Sequence, residues 1–151
     1  MEPIKDFSYG VLLVHKAEKE NLFLLVQHSA GHWSFPRGHK EDDESDIETA
    51  KREVFEETQF TEEDYTLIDT KPMFFYQHIF EGEDDKKYDK KNSFFLLFVG
   101  TKIFKNKKPK PLKQFSHEVL DLRWVNYEEA KKLINFEPTN KMLEELNYYL
   151  K

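Results

Sequence analysis

Three glutamates stand close together in the sequence, at a spacing that suits metal chemistry. Glu53, Glu56 and Glu57 occupy positions i, i+3 and i+4, so on a helix their carboxylates share one face. Like charges at this spacing destabilise a helix unless a cation neutralises them. Carboxylate oxygens are the ligands that Mg²⁺ and Mn²⁺ prefer, and Mg²⁺ usually keeps coordination positions for substrate phosphates. We therefore predict a divalent-metal site on this face.

The segment around these acids has the pattern of a short amphipathic helix. Ser45, with Glu48 three residues later, matches a capping box, which satisfies the free backbone N–H groups at a helix start. We predict that the helix runs from there to Thr58 or Gln59. The opposite face carries apolar residues at helical spacing, which should anchor the helix on the core: Ile47, Ala50 and Val54.

The neighbours of the acids favour a metal site over a solvated surface. Acid-rich helix faces are usually just solvated, so the three glutamates alone do not decide between these interpretations. A glycine-bounded aromatic loop precedes the helix and ends at Gly38, and Arg52 can pair with Glu48 at i, i+4 or reach back to Glu44. We expect Gly38, Glu44 and Arg52 to be structural supports that orient the acidic face.

This spacing resembles the Nudix box, G-x5-E-x7-R-E-U-x-E-E-x-G-U, in which U is apolar. The matching residues are Gly38, Glu44, Arg52, Glu53, Val54, Glu56, Glu57 and Phe60. Gln59 stands where the pattern has its last glycine, at a helix exit where a left-handed backbone is common. We expect Gln59 to adopt a strained version of that turn or to shift the exit, without touching a metal ligand.

The resemblance implies a fold, a reaction and a cofactor. The fold would be the α+β Nudix fold, a mixed β-sheet sandwiched between α-helices, in a single domain over residues 1–151. The reaction would be hydrolysis of a nucleoside diphosphate linked to another moiety. Glu53, Glu56 and Glu57 would hold Mg²⁺, with Mn²⁺ as the alternative, and the metal would help to generate the attacking hydroxide. Glu53 and Glu57 are thus also catalytic candidates, and the identity of the general base stays open.

Patches outside the box resemble the diadenosine tetraphosphate hydrolases of the animal and chlamydial kind. One is the loop from His32 to His39, which has Arg37 where that family usually has lysine; the other is Ser116–Glu118 followed by Arg123-Trp124. The resemblance implies that His32 and Arg37 contact the polyphosphate. It also implies that Glu118 is a further metal ligand or a catalytic base.

One further substrate contact follows from the same resemblance, and another is suggested by a lysine-bearing loop. Tyr76 would offer an aromatic platform for adenine, and Lys91, with Lys86, Lys87 and Lys90 in the same loop, would contact distal phosphates. Each has a structural alternative, because an aromatic residue in a strand often packs in the core and a lysine loop is often just solvated. The lysines of residues 102–113 are interpreted first as an exposed connection, with an RNA 5′ end as the alternative ligand.

Three functions remain in competition. The favoured one is Mg²⁺-dependent, asymmetric hydrolysis of diadenosine tetraphosphate to ATP and AMP. An RNA 5′-pyrophosphohydrolase would use the same acids but would also need the lysine segments, and its activity would fall steeply with salt. A non-catalytic Nudix domain that senses nucleotides is the third, and the intact Glu53, Glu56 and Glu57 speak against it.

Composition limits the partners that the protein can have. The chain of 151 residues fits one domain, its net charge of −6 argues against general nucleic-acid binding, and the absence of cysteine excludes thiolate metal sites. No apolar stretch is long enough for a signal peptide or a membrane span. We expect a cytoplasmic protein that binds a small nucleotide and no membrane, and its oligomeric state stays open.

The remaining elements follow from local patterns. Tyr9–Val14 and Leu22–Gln27 are predicted to form a hairpin. Further strands are predicted over Leu67–Tyr76, Ser93–Thr101 and Leu122–Val125, with a charged loop over Glu81–Asn92. Two helices should complete the domain: Tyr127–Leu133 capped by Asn126, and a last helix capped by Thr139 and ending at Leu150.

Overall fold

A mixed sheet of eight strands organises the described residues, 2–151, of the computed structural model. The strands are β1 (Ile4–Lys16), β2 (Asn21–His28), β3 (Trp33–Ser34), β4 (Arg37–Gly38), β5 (Thr66–Leu67), β6 (Phe74–Glu81), β7 (Lys87–Phe98) and β8 (Val119–Val125). The helices are α1 (Asp46–Thr58), α2 (Thr101–Asn106), α3 (Tyr127–Leu133) and α4 (Glu137–Tyr149), and a 3₁₀ turn covers Lys113–Phe115.

The order of the strands opens a gap in the sheet. β1 and β7 run parallel along Ile4–Val14, whereas the other strand pairs are antiparallel. β1 and β2 pair only next to their connecting turn, from Val14–Phe23 to Lys16–Asn21. Beyond that point β1 pairs with β4, and β2 pairs with β3 and β8. The two halves of the sheet therefore diverge on either side of a cleft.

Helices cover both faces of the sheet. On one face, Ala50 and Val54 of α1 pack with alternate residues of β1, β2 and β7, such as Leu13. On the other face, Leu143 and Leu146 of α4 pack on the intervening residues, such as Leu12. Because side chains alternate along a strand, each central strand is buried on both sides. The predicted α+β architecture, with a mixed sheet between helices, is confirmed.

Helix α1 begins and ends as its sequence indicates. Ser45 accepts a hydrogen bond from the Glu48 backbone N–H, and the Glu48 side chain accepts from the Ser45 backbone N–H, so the predicted capping box is present. The helix ends at Thr58, and Gln59 follows in the left-handed region at φ 64°. Gln59 donates from Nε2 to the Pro111 carbonyl at 3.2 Å, which helps to hold this unfavourable backbone.

The loop predicted over Glu81–Asn92 is wrong. β6 and β7 form a hairpin through this region, and only the residues between Glu81 and Lys87 turn. The charged half of β7 is hydrogen bonded on one side to β1 and on the other to β6. Pairing with two neighbours therefore overrides the weak strand propensity of a lysine-rich sequence.

Several other predicted boundaries are also wrong. The strand over Leu67–Tyr76 is broken because Asp69 accepts a hydrogen bond from the Lys71 N–H and Pro72 cannot donate to a ladder. The strand predicted to end at Thr101 ends at Phe98, because Gly100 caps α2. β8 starts at Val119, before the predicted residue, since it pairs with β2 from His28 onward. The last helix starts at Glu137 rather than after Thr139, because Pro138 suits its first turn.

A membrane span is not among these elements. Within the described residues, none of the helices combines the length and the apolar character that crossing a bilayer requires.

Candidate active site

The gap between the two halves of the sheet holds a cleft of about 520 Å³. The acidic face of α1 lines it with Glu53, Glu56 and Glu57, and the residue before β8 adds Glu118. The cleft is also lined by Arg37, Lys90, Ser8 and His28. The structure thus brings all four predicted metal-binding acids to one cavity.

The acids of α1 are held at different depths. Glu57 is buried, with only 7% of its surface exposed, while the side chains of Glu53 and Glu56 are 14% and 15% exposed. The absence of a side chain at Gly38 leaves room for the partly buried Glu53 carboxylate. A Cβ atom at Gly38 would lie 2.0 Å from Glu53 Oε1, so only glycine lets strand β4 approach this carboxylate.

Arg52 connects the acids to the loop that precedes the helix. Its guanidinium donates to Glu44 Oε2 at 2.7 Å, to Glu53 Oε1 at 3.0 Å, to Glu56 at 3.2 Å and to the His39 carbonyl at 2.7 Å. The hydrogen bonds from Arg52 lower the pKa of Glu44 to about 2. This geometry agrees with the supporting role expected of Arg52 and Glu44.

Burial changes the acidity of the two deeper glutamates. Desolvation raises the pKa of Glu53 to about 7, and the Arg52 charge offsets part of that effect. Desolvation, followed by repulsion from Glu53, raises the pKa of Glu57 well above its ordinary value. Two buried carboxyl groups that resist ionisation mark a place where added positive charge is favourable.

The donor set fits a hard divalent cation. Glu57 Oε2 is buried and has no hydrogen-bond partner among the described residues, so this oxygen is free to bind a ligand. Over the same part of the chain, no three acidic or histidine side chains already converge in a metal-binding arrangement. Arg52 explains why, because its guanidinium draws Glu53 and Glu56 toward itself. Reorienting these two carboxylates toward Glu57 Oε2 would give an all-oxygen ligand set.

A second pocket, of about 320 Å³, adjoins the cleft. It is lined by His78 and Phe80 of β6, by Phe136 at the start of α4, and by His32 and Trp33. The His78 ring lies 5.5 Å from the Phe80 ring and 5.0 Å from the Phe136 ring, measured between centroids. Phe80 and Phe136 remain 36% and 41% exposed, so aromatic surface is available in this pocket. We call it the aromatic pocket.

Two cations border both cavities. Arg37 and Lys90 line the acidic cleft and the aromatic pocket alike. Arg37 donates from Nε to the Tyr76 hydroxyl at 3.2 Å, which fixes its side chain across the sheet. Desolvation, together with the Arg37 charge, lowers the pKa of Lys90. An anion placed here would relieve the repulsion between the two cations.

Lys91 lies away from both cavities, whereas Tyr76 lines the aromatic pocket with little of its surface exposed. Lys91 follows Lys90 on β7 and therefore faces the other side of the sheet, where its ammonium lies 4.8 Å above the Phe75 ring. Tyr76 is only 7% exposed, and its ring stacks near Phe94 and His78. The Tyr76 ring is thus largely covered within the wall of the aromatic pocket, and Lys91 lines neither cavity.

The segment that carries Glu118 is attached to the end of α1. The backbone N–H groups of Lys110 and Leu112 donate to the carbonyls of Thr58 and Glu56, at 3.1 Å and 2.9 Å. The Gln59 side chain adds its hydrogen bond to Pro111. These three bonds hold the segment before the 3₁₀ turn, and the Ser29 N–H donates to the Glu118 carbonyl at 3.1 Å, which holds Glu118 at the cleft.

A family model for the NUDIX domain matches residues 6–146 of the chain. The chain belongs to the Nudix family. Nudix hydrolases act on nucleotide substrates and generally use divalent metal ions, which agrees with the acids of the cleft.

Two relatives of this Nudix protein are similar in sequence. An asymmetrical bis(5′-nucleosyl)-tetraphosphatase from Caenorhabditis elegans is 27% identical over 144 residues, which cover 93% of this chain and 94% of the relative. An enzyme of the same name from Mus musculus is 42% identical over 60 residues, which cover 38% of this chain and 41% of the relative. A crystal structure of a C. elegans Ap4A hydrolase binary complex superposes with a TM-score of 0.77 at 22% identity, covering 96% and 97% of the two chains.

Sequence reasoning missed several residues of this Nudix site. His78 and Phe136 line the aromatic pocket and neither was singled out, and Lys90 was one of four lysines that could not be distinguished from one another. The signal for Lys90 and His78 was the alternation of β6 and β7, which the assignment of this region to a loop concealed. Phe136 lies, with Asn135 and Thr139, far along the sequence from the pocket residues of β3 and β6, and no local pattern marks it.

Proposed function

We propose that this Nudix hydrolase cleaves dinucleoside polyphosphates, with diadenosine tetraphosphate hydrolysed asymmetrically to ATP and AMP. The observation that carries the proposal is the continuity of the two cavities, which share Arg37 and Lys90. A ligand with a base at one end and a chain of phosphates needs aromatic surface, cations and metal-binding acids in that order. The names of the two similar relatives support the same substrate class.

The polyphosphate is assigned to the shared border and the acidic cleft. Arg37 offers a planar group of N–H donors that suits phosphate oxygens, and Lys90 adds a mobile point charge. His32 lines the aromatic pocket and is exposed, so its ring can donate to a phosphate at the entrance. Tyr76 acts as a positioning residue, because its hydroxyl holds Arg37.

The acids divide between holding a cation and moving a proton. Glu53, Glu56 and Glu57 would hold Mg²⁺ or Mn²⁺, which when bound supplies positive charge against the phosphate oxygens and makes water a better nucleophile. Glu118 lines the same cleft from outside α1. Proton transfer from the attacking water then belongs to Glu53 or Glu118, while Arg52 and Glu44 keep the acidic face in place.

The base is assigned to the aromatic pocket. The exposed parts of Phe80 and Phe136, beside His78, offer flat surfaces on which a purine can stack, in place of the buried Tyr76 ring. Stacking of a base on an aromatic side chain contributes about 1–3 kcal/mol. We therefore expect a substantial part of the nucleotide affinity to come from this pocket.

The first test is Mg²⁺-dependent hydrolysis of a substrate panel, with the products separated by chromatography. The panel contains diadenosine tetraphosphate, ATP, ADP-ribose, GDP-mannose and a 5′-triphosphorylated RNA. We expect ATP and AMP in equal amounts from the tetraphosphate, formed much faster than any other product. Faster cleavage of the RNA, or no turnover of any member despite tight binding, would contradict the proposal in favour of RNA processing or nucleotide sensing.

A pair of variants in the same assay tests where the base binds. Phe136→Ala removes exposed aromatic surface from the pocket, so the KM for the tetraphosphate should rise about tenfold or more. Phe7→Ala is the control, because Phe7 is 48% exposed but faces the side of the sheet opposite the pocket. Equal effects of the two substitutions would show that the base binds elsewhere.

A further inference from the structure

Two buried residues carry three polar atoms without a hydrogen-bond partner: Ser8, which lines the acidic cleft, and Asn92 beside it on the sheet. Among the residues that the structure describes, nothing bonds to Ser8 Oγ or to Asn92 Nδ2 and Oδ1. Ser8 is 1% exposed and Asn92 is 0% exposed, so bulk water does not satisfy them either. Buried polar groups in proteins almost always have partners, and exceptions call for a functional explanation.

These two residues are neighbours on the sheet. Ser8 on β1 is in register with Asn92 on the parallel strand β7, and Asn92 is in register with Tyr76 on β6. Residues in register on adjacent strands project to the same face, about 5 Å apart. Ser8, Asn92 and Tyr76 thus form a row across three strands, on the face that also carries Lys90.

The row lies beneath the cations that border both cavities. Arg37 is in register with Gly10 on β1, yet it reaches the Tyr76 hydroxyl on the far side of β7. The Arg37 and Tyr76 side chains must therefore meet above the β1–β7 pair, where Ser8 and Asn92 lie. Gly10 allows this path, because a Cβ atom there would lie 2.6 Å from Arg37 Cβ.

Ser8 connects the row to the cleft, because it lines the cleft together with Arg37 and Lys90. A ligand oxygen can reach the Ser8 hydroxyl from there without displacing the core. The hydroxyl and the Asn92 amide nitrogen are both hydrogen-bond donors, which suits an oxygen that carries negative charge. The Asn92 Oδ1 atom is an acceptor and suits the Lys90 ammonium, two residues away on the same face.

We propose that Ser8 and Asn92 form a neutral subsite that binds a phosphoryl oxygen of the polyphosphate between Arg37 and Lys90. The subsite rests on the proposed function only in requiring that a polyphosphate enters the cleft. The cations supply attraction at long range, while the two neutral donors fix the position of one oxygen. Neutral donors do this without adding charge that would also attract the carboxylates of α1.

Binding of inorganic tripolyphosphate to the metal-free protein tests the subsite. Titration calorimetry in the presence of a chelator would compare the wild type with Ser8→Ala, Asn92→Leu and the double variant. We expect each single substitution to weaken binding about tenfold, as loss of a hydrogen bond to a charged group does. Ser93→Ala is the matched control, since Ser93 is 6% exposed on the same strand but faces the other side of the sheet.

Thermal unfolding of the same proteins separates a ligand subsite from a structural role. Removing polar atoms that have no partner should leave the melting temperature of the free protein unchanged or higher. Unchanged affinity, with or without a lower melting temperature, would overturn the proposal, and a lower melting temperature would then indicate a buried water that the two residues share. Tripolyphosphate carries no base, so this result does not depend on whether diadenosine tetraphosphate is the substrate.

Discussion

Glu57 is the residue at which metal chemistry and folding can be separated most clearly. Its carboxylate is buried, and one of its oxygens has no hydrogen-bond partner among the described residues. A bound cation would therefore stabilise the ionised carboxylate more than any protein group nearby does. Glu57→Gln should lower kcat more than about 100-fold, since even the outer partners of metal ligands contribute 10–100-fold. The metal-free variant should also melt at a higher temperature than the wild type at pH 8, because an amide carries no charge to bury. Steady-state kinetics and thermal unfolding measure the two effects.

Glu63→Gln is the control for this prediction, because Glu63 is an exposed glutamate close by in the sequence. It should change neither kcat nor the melting temperature. Turnover by Glu57→Gln at the wild-type rate would exclude Glu57 from the metal site.

At the scale of single residues, the sequence predicts the candidate metal-binding acids better than the residues that would contact the substrate. Glu53, Glu56 and Glu57 could be predicted together because one helical spacing relates them. Lys90 and Lys91 could not be told apart, since a shift of one residue along a strand exchanges the two faces of a sheet. The burial of Tyr76 depends on Phe94 and on α4, which no pattern near Tyr76 contains.

At the scale of elements, the approach of β4 to α1 depends on Gly38. Gly38→Ala would place a methyl group 2.0 Å from Glu53 Oε1, so either the strand or the carboxylate must move. We expect the apparent Mg²⁺ affinity in the hydrolysis assay to fall at least about tenfold, as for other disturbed outer contacts of a metal site. Gly100→Ala is the control, because a Cβ atom there meets nothing within 4 Å. Similar Mg²⁺ dependence in both variants would show that the close contact has no role.

The elements that carry their own boundary signals are the ones that the sequence predicts. Helix α1 has its capping box at Ser45, and Asn126 caps α3, so both helices begin where expected. The β6–β7 hairpin has no such signal. Its charged residues in β7 also pair with β1, which extends down to Ile4, and that partner lies more than 80 residues away in the sequence.

At the scale of the whole molecule, two groups give the stability of the metal-free protein opposite dependences on pH. Glu53 has a pKa of about 7 in the folded protein and an ordinary pKa of 4.5 in the unfolded chain. Between these two pH values the folded protein binds a proton that the unfolded chain has released. The stability of the fold therefore falls as pH rises through this range. Desolvation lowers the pKa of His28 from 6.5 to about 4. As pH falls from about 6.5 to 4, His28 becomes protonated in the unfolded chain but stays neutral in the folded protein. The stability of the fold therefore decreases over this range.

Two variants should separate these contributions. The free energy of unfolding is measured by chemical denaturation from pH 4 to 8 in the presence of a chelator. Between pH 4 and 8 it should increase more in Glu53→Gln than in the wild type, by up to about 3 kcal/mol. His28→Gln should change the slope in the opposite direction. Added Mg²⁺ should reverse the fall caused by Glu53, because it binds the ionised form. Parallel pH profiles for all three proteins would refute both assignments.

The hydrogen bonds that attach Lys110–Leu112 to the end of α1 also determine where the chain can change in length. The turn between β6 and β7 is exposed, so extra residues there would only lengthen a loop. Residues inserted between Leu112 and Glu118 would instead disrupt a segment that is held at both ends, at Lys110 and Leu112 by α1 and at the Glu118 carbonyl by the Ser29 N–H. Variants of this protein that differ in length should therefore retain hydrolysis when the change falls in the β6–β7 turn and lose it when the change falls after Leu112.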